Sequence, residues 1–491
     1  MNRVLPAEPY ETFEQYRAAG GGAGITAALS VSPGTVIDEV VASGLRGRGG
    51  AGFPTGIKWR TVRSFASPLL HTTIVVNAAE GEPGTFKDRT ILRYNPYAVI
   101  EGALVAAYAL DAKSIVIATK AAFDLELARL RHALDEVAAA GWMRDVAIQI
   151  VEGPSEYLFG EETALLEVVD GRPPFPRIAP PFRHGVVEVV TSSAEADPVS
   201  GLPASIQMAE LDGQSIAPPV LVNNVETLAN VPAILARGAA WFRELGTPES
   251  PGTIVCTLTG AVQHPGVVEV PMGTTLREVI EVAGGVQPGR TLRAVMVGVS
   301  SAVITPEHLD TELSYESMAS IGSGLGSAGF IVLGDDASPI AVAAGVARFL
   351  AIESCGQCTH CKQDGADIAG LLSTLGRGDG SPRDLDTLHL RLGTVADGAR
   401  CSLASQQQTV VGSLLTTFAT HVQESLTPGT LPAEDYLVAA LVDIDEHGAI
   451  VDRTFAGKQP DWTYDLHGGN LTPVDRMRDQ RTDTVGTPVE R

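Results

Sequence analysis

Four cysteines in this chain are spaced so that they could hold a metal cluster. Cys355, Cys358 and Cys361 are each separated by two residues, and Cys401 follows much later. Three closely spaced thiolates can wrap one corner of a cluster, and a distant fourth can close the cage. Four cysteine ligands are what a [4Fe–4S] cluster requires. The spacing therefore predicts an iron–sulfur site and, with it, one-electron chemistry.

Two other interpretations of these cysteines are open. A structural zinc site is the first, although zinc sites usually combine C-x2-4-C pairs separated by a longer stretch. Buried cysteines acting as small apolar side chains are the second, but Gly, Gln, Thr, His and Lys lie between and beside them. The fifth cysteine, Cys256, falls in an alternating strand pattern and is interpreted as a core residue. The spacing favours iron–sulfur over both alternatives.

Length and charge exclude several classes of function. A chain of 491 residues is expected to form about two to four domains. Its net charge of −23 argues against binding to nucleic acid or to an anionic membrane face. The most apolar stretch, Val99–Leu110, is too short to span a membrane, and the amino terminus lacks the apolar core of a signal peptide. An unexported chain with four thiols is expected in a reducing cytoplasm.

A glycine-rich stretch, residues 44–59, could bring its backbone close to a phosphate or an aromatic ring. Gly47, Gly49 and Gly52 form G-x-G-x-x-G, which in a Rossmann unit follows a strand and opens a helix. Here the glycines follow a predicted helix that begins at Pro33, so that interpretation fails. The stretch also carries three cations and three ordering residues: Arg46, Arg48 and Lys58, and Phe53, Pro54 and Trp59. We therefore favour a phosphate-bearing ligand over a merely flexible loop.

Strand and helix patterns alternate through the first half of the chain. Strands are predicted at 72–76, 114–118 and 146–151, with helices at 99–111 and 123–140 between them. This alternation predicts an α/β fold with a largely parallel sheet. Polar residues 77–89 follow the first strand, where ligands gather in such folds. Glu161 and Glu162 precede an apolar run and could instead be first-turn charges of a helix.

The second half of the chain predicts two further domains. Short strands and turns from Thr253 indicate a β-grasp (ubiquitin-like) domain, and residues 339–423 are predicted to form a helical bundle that carries the cysteines. A strand pair is predicted at 436–444 and 449–451. The predicted division is an irregular lead (1–31), an α/β domain (32–248) with an insertion (184–217), a β-grasp domain (249–335), a helical domain (336–425) and a C-terminal extension (426–491).

These motifs, in this order, resemble the NADH-binding flavoprotein subunit of respiratory complex I and the related diaphorase subunits of NAD-linked hydrogenases and formate dehydrogenases. The resemblance covers about residues 30–425. It rests on Gly44–Trp59, Asn77–Arg89, Gly160–Leu165, Asn223–Leu228, Pro265–Thr274 and the cysteines. It implies FMN and NADH in one pocket of a Rossmann-like FMN domain, a β-grasp domain and a C-terminal helical bundle with one [4Fe–4S] cluster.

The resemblance also implies three sets of site residues. The flavin site would comprise Gly47, Arg48, Gly49, Lys58, Asn77, Gly160, Glu161, Asn223, Asn224 and Thr227. The residues facing NADH would be Phe53, Glu82, Glu162 and Phe182. The cluster ligands would be Cys355, Cys358, Cys361 and Cys401. Three positions depart from the family pattern: Ala79 stands where an acid is usual, Thr61 where a second aromatic is usual, and His360 where a proline is usual.

The implied function is a two-to-one electron converter within a larger redox complex. Hydride transfer from NADH moves two electrons, a cluster accepts one at a time, and a flavin can do both. No side chain need then act as a general acid or base, and Glu82 and Glu162 are expected to orient the nucleotide. A rival hypothesis, suggested by Ala79 and Thr61, is an FMN/[4Fe–4S] relay that no longer uses nicotinamide. The resemblance implies a thioredoxin-like [2Fe–2S] partner subunit and a cytoplasmic protein, peripheral on a membrane only through partners.

Overall fold

The structure is a computed structural model that describes residues 3–66, 71–177, 219–427, 431–460 and 462. The predicted site residue Phe182 and the predicted insertion at 184–217 lie outside these described residues. So does the part of the C-terminal extension beyond residue 462.

A four-stranded parallel sheet forms the centre of the first domain. Its strands are β1 (Thr73–Ala78), β2 (Ser114–Lys120), β3 (Ala147–Gly153) and β4 (Val220–Asn224), in the order β3-β2-β1-β4. The chain therefore adds β2 and β3 on one side of β1 and then returns to place β4 on the other. The strand order reverses between β1 and β4, so a topological switch point lies there.

Ten helices of the described chain belong to this domain. They are α1 (Phe13–Ala18), α2 (Ala23–Leu29), α3 (Pro33–Ser43), α4 (Thr55–Ser64), α5 (Lys87–Tyr94), α6 (Pro96–Leu110), α7 (Asp124–Ala139), α8 (Glu162–Val169), α9 (Val225–Arg237) and α10 (Ala239–Phe242). Helix α6 is buried along nearly its whole length. Gly102 lets it pack directly on α9, because a Cβ atom there would lie 2.0 Å from the carbonyl oxygen of Leu228.

The prediction of an irregular lead is wrong for residues 13–29, which form α1 and α2. Thr12 and Gln15 make a capping box at the start of α1. Tyr16 is buried and donates a hydrogen bond of 2.6 Å to Glu101 of α6. The two helices are short and are separated by the glycines at 20–22, so their sequence shows little helical periodicity and tertiary packing holds them in place.

The second domain is a mixed four-stranded sheet. Its strands are β5 (Thr253–Gly260), β6 (Gly266–Pro271), β7 (Leu292–Val297) and β8 (Gly329–Gly334), in the order β6-β5-β8-β7. The central pair β5 and β8 is parallel and the outer pairs are antiparallel. Helices α11 (Leu276–Val282) and α12 (Tyr315–Ser320) complete it. This arrangement confirms the predicted β-grasp domain, and Cys256 lies fully buried in its core, as expected.

The third domain is helical and is followed by a hairpin. Its helices are α13 (Pro339–Glu353), α14 (Thr359–Gly376), α15 (Pro382–Thr394), α16 (Leu403–Thr417) and α17 (Ala419–Ser425). The predicted strand pair of the extension is confirmed as β9 (Leu441–Asp445) and β10 (Gly448–Val451), although the first strand begins at Leu441 rather than Tyr436. Among the helices that the structure describes, none combines the length and apolar character that a membrane span requires.

Candidate redox site

Three predicted asparagines lie at the carboxyl edge of the parallel sheet. Asn77 is near the end of β1, and Asn223 and Asn224 end β4. The two strands are hydrogen-bonded neighbours, with Asn77 opposite Asn224. Ligands of open α/β sheets bind outside the carboxyl ends of the strands at the switch point. The fold therefore places these residues where a ligand site is expected.

The glycine-rich loop lies directly against the end of β4. The backbone amide of Arg48 donates a hydrogen bond of 2.8 Å to the hydroxyl of Thr227. A Cβ atom on Gly49 would lie 3.2 Å from the Cβ atom of Asn224, which leaves little room for any side chain. The loop follows α3 and opens α4, as the sequence predicted.

The amino terminus of α4 fits an anionic group. No side chain caps the first turn, so its free backbone amides and the helix dipole are available to an anion. The hydroxyl of Thr55, at the first position, is buried without a hydrogen-bond partner. One turn further along, Lys58 adds a positive charge. These features, together with the glycine cradle, fit the phosphate and ring of FMN.

Lys58 forms an ion pair with Glu162. Its Nζ atom lies 2.6 Å from Oε1 of Glu162, and about a third of each side chain is exposed. Glu161 has a different role, since its carboxylate accepts hydrogen bonds from the amides of Thr163 and Ala164 and caps α8. The interpretation of these acids as helix-start charges therefore holds for Glu161, while Glu162 bridges α8 to α4.

The side chain of Arg48 is turned into the protein interior. Its Nη2 atom donates to the carbonyl oxygen of Pro251 at 3.1 Å, and its Nε atom lies 3.9 Å from Glu226. Both side chains of this pair are fully buried. In the glycine loop, Arg48 thus presents its backbone amide.

Sequence reasoning missed a buried charge network beneath the asparagines. Lys87 lies 2.7 Å from Asp88 and 2.9 Å from Glu226, and all three side chains are buried. Asn224 joins the network by donating to Asp88 at 2.6 Å and accepting from Lys87 at 3.2 Å. The signal was available, because these charges lie inside the two motifs that contain Asn77 and Asn224.

The other two asparagines hold neighbouring segments in place. Asn77 donates a hydrogen bond of 2.8 Å to the carbonyl oxygen of Gly160. A Cβ atom on Gly160 would lie 3.1 Å from the carbonyl oxygen of Ala79, so the two loops approach closely. Asn223 accepts a hydrogen bond of 2.8 Å from the indole of Trp59 in α4. These contacts connect both strand ends to the surrounding loops.

The predicted nucleotide-facing residues lie at the outer side of this edge. Phe53 exposes about half of its side chain, as an aromatic stacking surface would. Glu82 accepts a hydrogen bond of 3.1 Å from the amide of Val299 and another from the hydroxyl of Ser327, and burial raises its pKa. Thr61 lies in α4 three residues after Lys58, hence on the same face of the helix.

Glu80, next to Ala79, supports the start of α5. Its two carboxylate oxygens accept hydrogen bonds from the amides of Asp88 and Arg89, at 3.3 Å and 3.2 Å. Burial, together with the negative charge of Asp88, raises the pKa of Glu80 to about 7.

The four predicted cluster ligands line one cavity. Cys355 and Cys358 lie in the turn between α13 and α14, Cys361 lies in the first turn of α14, and Cys401 precedes α16. Burial raises the pKa of Cys361 and of Cys401 to about 12. Metal ligation requires thiolates, so the charge of a bound metal must favour their deprotonation. Four thiols around one enclosed space fit a [4Fe–4S] cluster.

The arrangement of these cysteines argues against the zinc alternative. Within the described ranges, no three His, Cys, Asp or Glu side chains are grouped so that they could hold a metal ion. Four thiolates on one zinc would have to converge to about 2.3 Å from a single point. His360, which stands in place of the usual proline, pairs with Asp364 at 3.0 Å.

One short segment connects the two parts of the site. Leu158 lines the cysteine cavity, Gly160 accepts the hydrogen bond from Asn77, and Glu162 pairs with Lys58. Between them, the negative charge of Glu161 contributes to the raised pKa of Cys401, after burial. The switch-point edge and the cysteine cavity are therefore neighbours through residues 158–162.

Comparisons with known proteins agree with this geometry. The sequence model of the Nuo51 FMN-binding domain matches residues 40–233, that of the SLBB domain matches residues 255–299, and that of the NADH-ubiquinone oxidoreductase-F iron–sulfur binding region matches residues 341–425. All three matches end before residue 426.

Two relatives and one solved structure illustrate the similarity. An F-type subunit (number 2) of the NADH-quinone oxidoreductase of Rhizobium meliloti (strain 1021) is 36% identical over 428 residues, which cover 84% of this chain and 95% of the relative. The NADP-reducing hydrogenase subunit HndC of Solidesulfovibrio fructosivorans is 34% identical, covering 86% of this chain and 82% of that protein. The crystal structure of an NAD+-reducing [NiFe]-hydrogenase in the H2-reduced state aligns with a TM-score of 0.72 and 31% identity, over 88% of this chain and 68% of that one.

Proposed function

The chain belongs to the family of NADH-quinone oxidoreductase F subunits, and from this premise we propose that it oxidises NADH and passes the electrons through FMN and a [4Fe–4S] cluster to another subunit. When bound, the flavin supplies the exchange between two-electron hydride transfer and one-electron transfer. The observation that carries the proposal is the segment 158–162, which joins the switch-point edge to the cysteine cavity.

The residues around the switch point have a binding task in this proposal. The backbone of the glycine loop, the open amino terminus of α4 and Lys58 hold the phosphate and ring of FMN. Asn77, Asn223 and Asn224 fix the loops that enclose the flavin. Because hydride moves directly between two rings, these side chains bind, orient and exclude water rather than transfer protons.

The nucleotide is assigned to the outer side of the same edge. Phe53 offers an exposed aromatic face on which the adenine end can stack. Glu162 and Glu82 place carboxylates at this edge, where they would accept hydrogen bonds from the nucleotide. The acidic character of the edge favours NADH over NADPH, whose additional phosphate the carboxylates would repel.

The electrons must leave to a partner. The described chain contains one set of cluster ligands, and the cysteines lie at the far side of the segment 158–162 from the flavin edge. We assign the acceptor to a thioredoxin-like [2Fe–2S] subunit of a multi-subunit complex, on the strength of family resemblance. The need to keep four thiols available for a cluster supports a reducing, cytoplasmic location.

The test is an anaerobic stopped-flow titration of the purified, FMN- and iron-loaded protein with NADH. In the wild-type protein, flavin absorbance should bleach first and cluster absorbance should follow. A matched variant, Cys401→Ser, should keep the flavin phase and lose the cluster phase. If millimolar NADH bleaches neither centre while dithionite reduces both, the protein is an electron relay that does not use nicotinamide.

A further inference from the structure

The C-terminal extension lies beyond the three family matches, yet it packs against both redox domains. Its hairpin contacts α5, which follows the nucleotide-facing loop. The guanidinium of Arg89 donates to the carbonyl oxygens of Leu441 and Val442, at 3.2 Å and 2.7 Å. Arg93 forms an ion pair of 2.8 Å with Asp443. The extension is therefore anchored to the FMN domain before it reaches the cluster domain.

The next part of the extension is anchored to α13, the helix that leads into the cysteine turn. Arg348 donates hydrogen bonds to the carbonyl oxygens of Phe455 and Lys458, both at 3.1 Å. The ring of Phe455 packs on Phe349, with 5.2 Å between centroids. The Nζ atom of Lys458 lies 2.7 Å from Oε1 of Glu353, whose side chain is almost fully buried. Lys458 also lines a cavity that Cys355 lines.

Trp462 lies against the cysteine turn itself. Its indole nitrogen donates a hydrogen bond of 3.0 Å to the hydroxyl of Ser354, and only 7% of the residue is exposed. Gly356 has a φ of +74°, and a Cβ atom there would lie 2.7 Å from the indole ring. On the other side, Nζ of Lys362 lies 4.4 Å from the ring centroid. The indole thus covers the turn between Cys355 and Cys358.

We propose that Lys458 and Trp462 are positioning residues for the cluster, and that the extension (residues 431–462) forms a cover over the cysteine turn. The inference rests on the proposed function, since it requires a cluster in the cysteine cavity. The reduction potential of a cluster depends on nearby charge and on solvent exposure. Reduction adds one negative charge, so the positive charge of Lys458 favours the reduced cluster, whereas the dry cover of Trp462 disfavours it.

The two residues should therefore shift the potential in opposite directions. Lys458→Met removes a positive charge and should make the midpoint potential of the cluster more negative. Trp462→Ala admits water, which stabilises the more highly charged reduced form, and should make the potential less negative. Water and oxygen should also reach the cluster several-fold faster in Trp462→Ala. A general loosening of the fold would not produce opposite shifts.

The experiment is an EPR-monitored redox titration of the full-length, FMN- and iron-loaded protein, with the rate of cluster bleaching in air as a second readout. Trp462→Phe keeps an aromatic cover and loses only the hydrogen bond to Ser354, so its bleaching rate should stay near that of the wild type. Trp241→Ala is the matched control, because this tryptophan carries a cation over its ring, that of Arg3 at 4.0 Å, but lies away from the cysteines. It should leave both readouts unchanged.

Each outcome decides the proposal. Opposite shifts in potential support it, as does iron loss from Trp462→Ala that Trp462→Phe prevents. Wild-type potential and bleaching rate in Trp462→Ala, or shifts of the same sign in Trp462→Ala and Lys458→Met, would overturn the cover while leaving the proposed function intact. Wild-type protein that binds no iron would overturn the proposed function and this inference together.

Discussion

Lys58→Met is the variant that tests most directly how the flavin is held. Lys58 forms a 2.6 Å ion pair with Glu162, and 27% and 36% of the two side chains are exposed. An ion pair that is this accessible to solvent contributes at most about 1 kcal/mol to folding. A hydrogen bond from a charged donor to a ligand is worth about 1.5–3 kcal/mol. Loss of flavin binding should therefore exceed loss of stability.

The magnitude follows from that comparison. Removing the ammonium group should raise the Kd for FMN by about 10- to 150-fold, since each 1.4 kcal/mol corresponds to a factor of ten. The free energy of unfolding of the flavin-free protein should fall by no more than about 1 kcal/mol. The assay is titration of the flavin-free protein with FMN, followed by quenching of flavin fluorescence, beside a denaturant melt of the same sample.

Glu162→Gln distinguishes the two members of the pair. It removes the carboxylate that now neutralises Lys58 and leaves the cation available to the flavin, so FMN affinity should be kept or increased. If Glu162 also orients the nucleotide, the KM for NADH should rise while the Kd for FMN does not. Lys113→Met is the matched control, because Lys113 forms a solvent-exposed pair with Asp111 at 3.3 Å next to the amino end of β2. Wild-type FMN affinity in Lys58→Met, or equal weakening in Lys58→Met and Glu162→Gln, would refute this account.

The site gives three further predictions. Cys401→Ser should lose the cluster, measured as iron per polypeptide, whereas Cys256→Ser, at a buried core position, should keep it; equal iron in both would contradict the ligand assignment. Because the folded protein raises the pKa of Glu80 from 4.5 to about 7, the protonated form stabilises the fold fully below pH 4.5, and this stabilisation is lost as the pH rises through about 7. Denaturant melts across that range should show the decline in wild type and a flatter profile in Glu80→Gln, and identical profiles would show that the charge of Asp88 and burial do not act on Glu80. Thr61→Phe should lower the KM for NADH by up to about tenfold with kcat nearly unchanged, since aromatic stacking adds about 0.5–1.5 kcal/mol; an unchanged KM would place Thr61 outside the nucleotide pocket.

Much of the fold could be predicted because the relevant signals are local. Buried runs such as those of β1 and β2 mark parallel strands, and Gly44 ends α3 at a left-handed position that suits glycine. Cluster ligands are legible for the same reason, since Cys355, Cys358 and Cys361 must be close in sequence to wrap one corner of a cluster. Patterns of this kind depend on spacing alone, and spacing is printed in the sequence.

Contacts between distant segments could not be predicted in this way. The packing of Trp462 on the cysteine turn joins residues 108 positions apart, and nothing in the local sequence of either segment requires the other. The helices at 13–29 were missed because their stability comes from Tyr16 and its buried partner Glu101 rather than from helix propensity. Tertiary packing decides such elements, and it is visible only in the folded chain.

The charges around the glycine loop show what this difference means for function. By sequence, Arg46, Arg48 and Lys58 are equivalent candidates for a phosphate. In the structure, the guanidinium of Arg46 lies 4.0 Å from the ring centroid of Tyr315, and that of Arg48 is buried beside Glu226. Of the three cations, Lys58 alone remains beside the open amino terminus of α4, held by a partly exposed carboxylate that a ligand can displace. The backbone amides of α4 must therefore supply much of the positive potential for the flavin phosphate, with Lys58 as the side chain that adds to it.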